Sequence, residues 1–171
     1  DAFDISHQYM QQGVGSCVVF GESGASKKDY RLFNIPNDIT GNDVASMEHV
    51  ISRRLKYYED QKPDLILIDG GRTQLNFTNK ILKNFGMEKI LVLGIAKGKG
   101  RVRATETIYT NKGILEIDPH SESFKLLNEA RDESHRFAIT ASRKKIRKSN
   151  KYSVLDSVKG IGPITKKALL K

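Results

Sequence analysis

The sequence predicts an α/β fold, a mixed five-stranded sheet flanked by helices and followed by a small all-α segment. Two observations carry this. Asp64–Asp69 (DLILID) and Ile90–Ile95 (ILVLGI) are almost wholly apolar, as in strands covered on both faces, and a stretch of helical spacing lies between them. Ahead of them stand three short segments with strand character: Ala2–Ser6, Gly15–Phe20 (GSCVVF) and Tyr30–Ile35 (YRLFNI). Gly21–Lys28 reads as the hairpin turn between the second and third, giving an antiparallel meander. Asp43–Glu59 then spaces Val44, Met47, Val50, Ile51, Leu55 and Tyr58 at three and four residues, the pattern of an amphipathic helix, and Pro63 punctuates it. Gly70 and Gly71 end the first apolar strand, and Thr73–Phe85 resumes helical spacing through Leu75, Ile81 and Leu82. Beyond the second apolar strand, Thr107–Tyr109 and Ile114–Ile117 read as a small hairpin around Asn111-Lys112-Gly113. A long helix is expected from Glu122 through Arg136 to about Lys145.

The 171 residues suit one domain plus a small appendage, and 38% hydrophobic content is enough for a core, which excludes a disordered tail. The formal charge of +9 points to an anionic partner, and its position is informative. Residues 1–130 hold 17 basic and 17 acidic side chains, whereas residues 131–171 hold 12 basic and 3 acidic. A neutral body thus carries a basic C-terminal segment. The single Cys17 excludes an internal disulfide and a cysteine-based zinc site, and its strand position reads as a small buried hydrophobe. No apolar run reaches the roughly 20 residues of a membrane helix. The chain opens at Asp1 without a Met or a signal-peptide pattern and is expected to be a piece of a longer, cytoplasmic protein.

Two carboxylates stand where chemistry gathers in such folds. Asp4 lies in the middle of the first strand, and Asp69 ends the first apolar strand just before two glycines. Ligands collect at the carboxyl ends of parallel strands, and glycines there admit a substrate or backbone closely. Carboxylates on neighbouring strands repel, and a divalent cation such as Mg²⁺ or Mn²⁺ removes the repulsion. A purely structural reading stands beside this one: Asp69 caps the next helix and Asp4 forms an ion pair. His135, within Arg131-Asp132-Glu133-Ser134-His135-Arg136, is either a surface histidine or a metal ligand or proton carrier completing the site. Asp43 is expected to cap the first long helix, with support of the carboxylate site as the alternative.

Gly160-Ile161-Gly162-Pro163, with Leu155 and Val158 before it and Lys166, Lys167, Leu169 and Leu170 after it, is the pattern of a helix-hairpin-helix, with a plain helix-turn-helix corner as the alternative that the flanking lysines disfavour. Its glycines expose backbone N–H groups at a helix start, where phosphate binds well. Arg143–Lys151 (RKKIRKSNK) has six basic residues and reads as a helix end or linker. The divisions expected are 1–145 for the sheet domain, 146–152 for a basic linker and 153–171 for the hairpin segment. Lys97, Lys99, Arg101 and Arg103 contact a nucleic-acid backbone or solvate a loop; Gly94–Gly100 matches neither a Walker A loop nor GxGxxG.

The motifs Phe3-Asp4-Ile5-Ser6-His7, Pro63–Gly71, Gly94-Ile95-Ala96-Lys97-Gly98, Arg131–Ala138 and Gly160–Pro163 together, collinear and spanning essentially the whole chain, resemble the C-terminal half of the UvrC family of bacterial nucleotide excision repair. The resemblance implies an RNase H-like, metal-dependent endonuclease domain that makes the incision 5′ of a DNA lesion. It implies an Asp-Asp-His triad at Asp4, Asp69 and His135, with Asp43 as a further acidic position. Mg²⁺ or Mn²⁺ is the implied cofactor, with no other small molecule. The implied partners are damaged duplex and the UvrB–DNA pre-incision complex, with no membrane. The family's GIY-YIG nuclease half, its UvrB-binding segment and the second hairpin of its usual pair have no counterpart in these 171 residues. Competing readings are an RNase H-like nuclease of other specificity, for junctions or hybrids, and a DNA-binding module without catalysis.

The expected DNA contacts are Lys97, Arg143, Lys144, Lys145, Arg147, Lys148, Gly160, Gly162, Lys166 and Lys167, set apart from the acidic site. Binding to duplex should weaken steeply with salt, by about one unit of log–log slope for each phosphate contact. Truncation after Ser142 should remove most of that dependence; a slope that survives truncation contradicts this division of labour.

Overall fold

The structure is a computed structural model and describes residues 1–6, 13–58, 62–97, 106–150, 160–162, 164–165 and 168. Its elements run β1 (Ala2–Ser6), β2 (Val14–Val18), β3 (Phe20–Gly21), β4 (Gly24–Ala25), β5 (Arg31–Asn34), α1 (Asp43–Leu55), β6 (Leu65–Asp69), α2 (Arg72–Asn84), β7 (Leu91–Lys97), β8 (Glu106–Thr110), β9 (Gly113–Leu115) and α3 (Glu122–Asn150). One seven-stranded sheet has the order β5-β2-β1-β6-β7-β8-β9, and β3 and β4 form a separate two-stranded ribbon. β1, β6 and β7 are parallel neighbours, while β2, β5, β8 and β9 pair antiparallel.

Alternation along the strands assigns each side chain to one of two covered faces. On one face Phe3, Cys17, Ile66, Ile68 and Val92 meet Val50, Ile51 and Leu55 of α1 and Leu75, Ile81 and Leu82 of α2. On the other, Ala2, Val18, Leu67, Leu93, Ile95 and Ile108 pack with Ala130 of α3 and with the partly buried Phe124, Leu127 and Phe137. This double cover is why β6 and β7 read as unbroken apolar runs.

Two glycines mark the tightest approaches. A Cβ on Gly15 would stand 2.3 Å from Cγ2 of Val50, so α1 can lie on β2 only without a side chain there. A Cβ on Gly94 would stand 2.8 Å from the carbonyl oxygen of Gly70. The Gly70 N–H donates to the Ile95 carbonyl at 2.9 Å, so the turn leaving β6 is pinned onto β7 through the space Gly94 leaves empty.

The five expected strands form the order third, second, first, fourth, fifth, and the expected hairpin (β8 and β9) joins β7 to extend the sheet to seven. Hydrogen bonding of β8 to the open edge of β7 adds this pair; the apolar pattern, which reports burial, marks it as a small hairpin without showing that it joins the sheet. The stretch expected as a plain turn between the second and third strands contains the β3–β4 ribbon and a 3-10 turn, Lys27–Asp29. α1 stops at Leu55, before the expected Glu59, although Tyr58 is still buried. α3 runs to Asn150, five residues into the expected linker, because nothing from Arg143 to Asn150 breaks a helix and Lys and Arg are good helix formers. Its cationic end also complements the helix dipole.

Gly94→Ala should overpack the β6 exit and destabilise the fold by about 1–3 kcal/mol, read as a lowered Tm. Cys17 is fully buried, and burial pushes its thiol up to about 11, so the thiolate is scarce at neutral pH. It should react with alkylating agents at pH 8 only as fast as the protein unfolds; rapid labelling of native protein would contradict its burial.

Candidate metal centre

Parallel pairing of β1 with β6 puts Ala2 opposite Leu67 and Phe3 opposite Ile68. One residue further along, the same register sets Asp4 beside Asp69. Ala2 and Leu67 face α3, so by the period of two both carboxylates belong to the α3 face, at the carboxyl end of the parallel strands. Asp4 is only 8% exposed, while Asp69 sits half-buried at the strand end. Gly71 is the N-cap residue of α2.

α3 supplies the third group. Ala130, Ser134, Ala138 and Ser142 recur every four residues and are all buried, so this face of the helix consists of small side chains that let it lie low on the sheet. His135 follows Ser134 by one position, which turns it about 100° from that buried stripe toward the edge. Its Nδ1 lies 3.1 Å from Oδ2 of Asp4, while the imidazole as a whole remains 57% exposed. One ligating atom each from Asp4, Asp69 and His135 fall within 4.8 Å of one another. At about 5 Å and an effective dielectric near 20, two carboxylates repel by roughly 3 kcal/mol, which a divalent cation reverses. Two carboxylate oxygens and one imidazole, open to solvent on one side, form a donor set that could hold a divalent cation. The residues present therefore fit the group that the sequence reading expects.

Several further residues hold these elements around the cluster. Ser16, paired with Asp4 across β1 and β2, is fully buried and donates from Oγ to the Ser134 carbonyl at 2.9 Å. Arg131, one turn before His135, is ion-paired to Glu106 of β8 and bonds Asp132. Tyr30 donates to Oε1 of Glu133 at 3.1 Å, and its ring meets Phe137 edge-on with centroids 5.2 Å apart. Hydrogen bonds from Arg136 hold the Glu133 carboxyl below the usual carboxylate range. Burial, with Glu133 alongside, pushes the Tyr30 hydroxyl up to about 12. The signal for Ser16 was a polar residue inside an otherwise apolar strand, and it becomes readable only once the register with Asp4 is known.

Asp43 is the first residue of α1 and is exposed; the cap is Asn42, whose Oδ1 accepts from the Ala45 N–H at 3.1 Å. The cap expected at Asp43 is thus displaced by one residue, and Asp43 instead adds negative charge to the first turn, which the helix dipole favours. Asp43 is not one of the three clustered groups. Arg143 and Lys144 are exposed on α3. The side chains of Lys97, Lys145, Arg147 and Lys148, and all of Lys99, Arg101, Arg103, Lys166 and Lys167, lie outside the described residues. Gly160 has φ +100°, a left-handed turn conformation, and Ile164, Thr165 and Ala168 are helical; residues 151–159 lie outside the described part. A cavity of about 940 Å³ lies at the opposite end of the parallel strands, lined by Ala2, Leu65, Leu67, Leu93 and Leu127 among others and by none of the three clustered residues. No described helix is long and apolar enough to cross a membrane.

With this geometry in hand, the comparisons with known proteins are specific. The family model of the UvrC RNase H endonuclease domain matches residues 1–139. UvrABC system protein C of Saccharophagus degradans is 41% identical over 176 residues, covering 99% of this chain and 28% of that protein. The same-named proteins of Pseudomonas fluorescens and Nitrosococcus oceani are 40% and 41% identical, covering 100% and 99% of this chain. The chain spans under a third of the length of these relatives. A match over most of the chain, joined to an RNase H-like sheet that brings two aspartates and a histidine together, shows that the chain belongs to the UvrC RNase H endonuclease domain family.

Proposed function

We propose that this chain hydrolyses a DNA phosphodiester 5′ of a lesion, as the incising part of a UvrC-type protein acting on a UvrB–DNA complex. The observation that carries the proposal is the convergence of Asp4, Asp69 and His135 within 4.8 Å at the open end of the sheet. The family match and the names of the relatives support the substrate class and the partner.

In this reading Asp4, Asp69 and His135 hold one divalent cation, Mg²⁺ or Mn²⁺. When bound, such an ion acts as a Lewis acid, lowers the pKa of water and offsets charge developing on the phosphorus. Asp4, buried between β2 and β6, gives a fixed oxygen; Asp69, half-buried at the strand end, gives a more accessible one. His135 replaces a third carboxylate with a neutral donor, so the site carries less negative charge than a three-carboxylate centre. That favours a single tightly held ion and lessens repulsion of the phosphate. The exposed side of the imidazole presents an N–H to a phosphate oxygen. Arg143, Lys144 and the basic residues beyond them attract the polyanion at a distance from the acidic site, so that affinity and chemistry are divided between two regions of the chain.

On lesion-bearing duplex with the partner complex, Asp4→Ala and Asp69→Ala should each lower 5′ incision by at least about a hundredfold, roughly 2.7 kcal/mol of barrier, while circular dichroism stays unchanged. Mn²⁺ binding followed by calorimetry should fall in parallel. A fully active Asp69→Ala protein would overturn the mechanism, and cleavage of junctions or RNA–DNA hybrids in preference to damaged duplex would replace the substrate assignment.

A further inference from the structure

One buried polar contact is not used by the mechanism above. Ser16 sits mid-strand in β2 with no exposed surface, and a buried hydroxyl is costly unless it is hydrogen-bonded. Its donor crosses to the backbone of α3, 118 residues away, and reaches the carbonyl of Ser134. A mid-helix carbonyl ordinarily serves one N–H four residues on, so its second lone pair is free to accept the serine. The approach is possible because Ala130, Ser134, Ala138 and Ser142 keep the contact face small.

We infer that Ser16 is a positioning residue for His135. The inference rests on the reading of His135 as a ligand in the metal centre. Ser16 stands opposite Asp4 in the β1–β2 register, so one cross-strand pair holds both the carboxylate and the anchor of the helix that brings the imidazole to it. The anchored carbonyl belongs to the residue immediately before His135. The stripe of small residues offers little interlocking against a roll of the helix, which leaves its orientation at the site to the apolar contacts of Phe124, Leu127 and Phe137 on its flanks and to directional bonds. A roll of about 10° moves a side-chain tip ~6 Å off the axis by about 1 Å, beyond the ~0.5 Å tolerance of a preorganised site. The Ser16 bond opposes that roll at the level of the site. Other polar links from this stretch, Tyr30 to Glu133 and Glu106 to Arg131, are made through long, partly exposed side chains.

The test measures Mn²⁺ affinity of the intact protein by calorimetry and the nitrogen modulation of bound Mn²⁺ by electron spin-echo spectroscopy, for Ser16→Ala, Ser16→Cys and His135→Ala. Leu82→Ala, on the far face of the sheet, serves as a control of lowered Tm. Ser16→Ala should weaken Mn²⁺ binding about tenfold, as removal of outer contacts to a metal site commonly does, and diminish the nitrogen modulation. Ser16→Cys keeps the volume but donates weakly, and should resemble Ser16→Ala; Leu82→Ala should change neither readout. Full affinity and modulation in Ser16→Ala, beside their loss in His135→Ala, would overturn the positioning role alone. So would restoration by Ser16→Cys, which would assign the effect to packing. Unchanged affinity and modulation in His135→Ala would overturn the metal-centre reading itself.

Discussion

The register between β1 and β6 is the constraint on which the rest depends. Phe3 lies opposite Ile68, and a parallel ladder repeats that alignment without inverting faces, so two aspartates 65 positions apart become neighbours on one side of one sheet. A slip of one residue would move Asp4 to the α1 and α2 face, among Phe3's largely apolar neighbours and away from Asp69 and His135. The apolar flanks make that slip prohibitive. Phe3, Ile66 and Ile68 must remain on the first face and Ala2 and Leu67 on the second, and the carboxylates are carried to the site by the burial of residues that have no chemistry of their own.

Helix α3 closes the same site from above, and it does so with the opposite kind of surface. The α1 and α2 side of the sheet is filled by large side chains, and Val50 needs the missing side chain of Gly15 to fit. On the α3 side, near the site, alanines and serines bring the helix backbone itself close to the strands. Large residues resist sliding by interlocking, whereas small ones permit close approach and leave orientation to be set by directional bonds. The polar links between α3 and the sheet accordingly concentrate at Arg131, Glu133, Ser134 and His135.

Much of this was legible in the chain. Apolar runs identified β6 and β7 because burial on both faces leaves a compositional trace, and Asp69 stood out as the charge ending such a run. His135 stood out only by its polar neighbours. Three of those neighbours turn out to be structural, holding the helix through Glu106, Tyr30 and Ser16, so the motif mixes a candidate ligand with its scaffold. What the sequence concealed is relational: the register that pairs Ser16 with Asp4, the attachment of β8 to β7, and the cap at Asn42 rather than Asp43. Each depends on which residue lies opposite which, information that no single segment contains. The continuous helix from Glu122 to Asn150 was concealed for a different reason, since a run of basic residues reads equally as a solvated helix face or as a linker.

That helix has a geometric consequence. From His135 to Arg147 it rises 1.5 Å per residue, so the basic turn lies about 18 Å from the imidazole along the axis, a separation that a flexible linker would not keep. Along one strand of duplex DNA, 18 Å is about five base pairs at roughly 3.4 Å each. If duplex is held at both places, as the proposed function has it, the helix would convert the spacing of two residues in the sequence into an interval along the DNA.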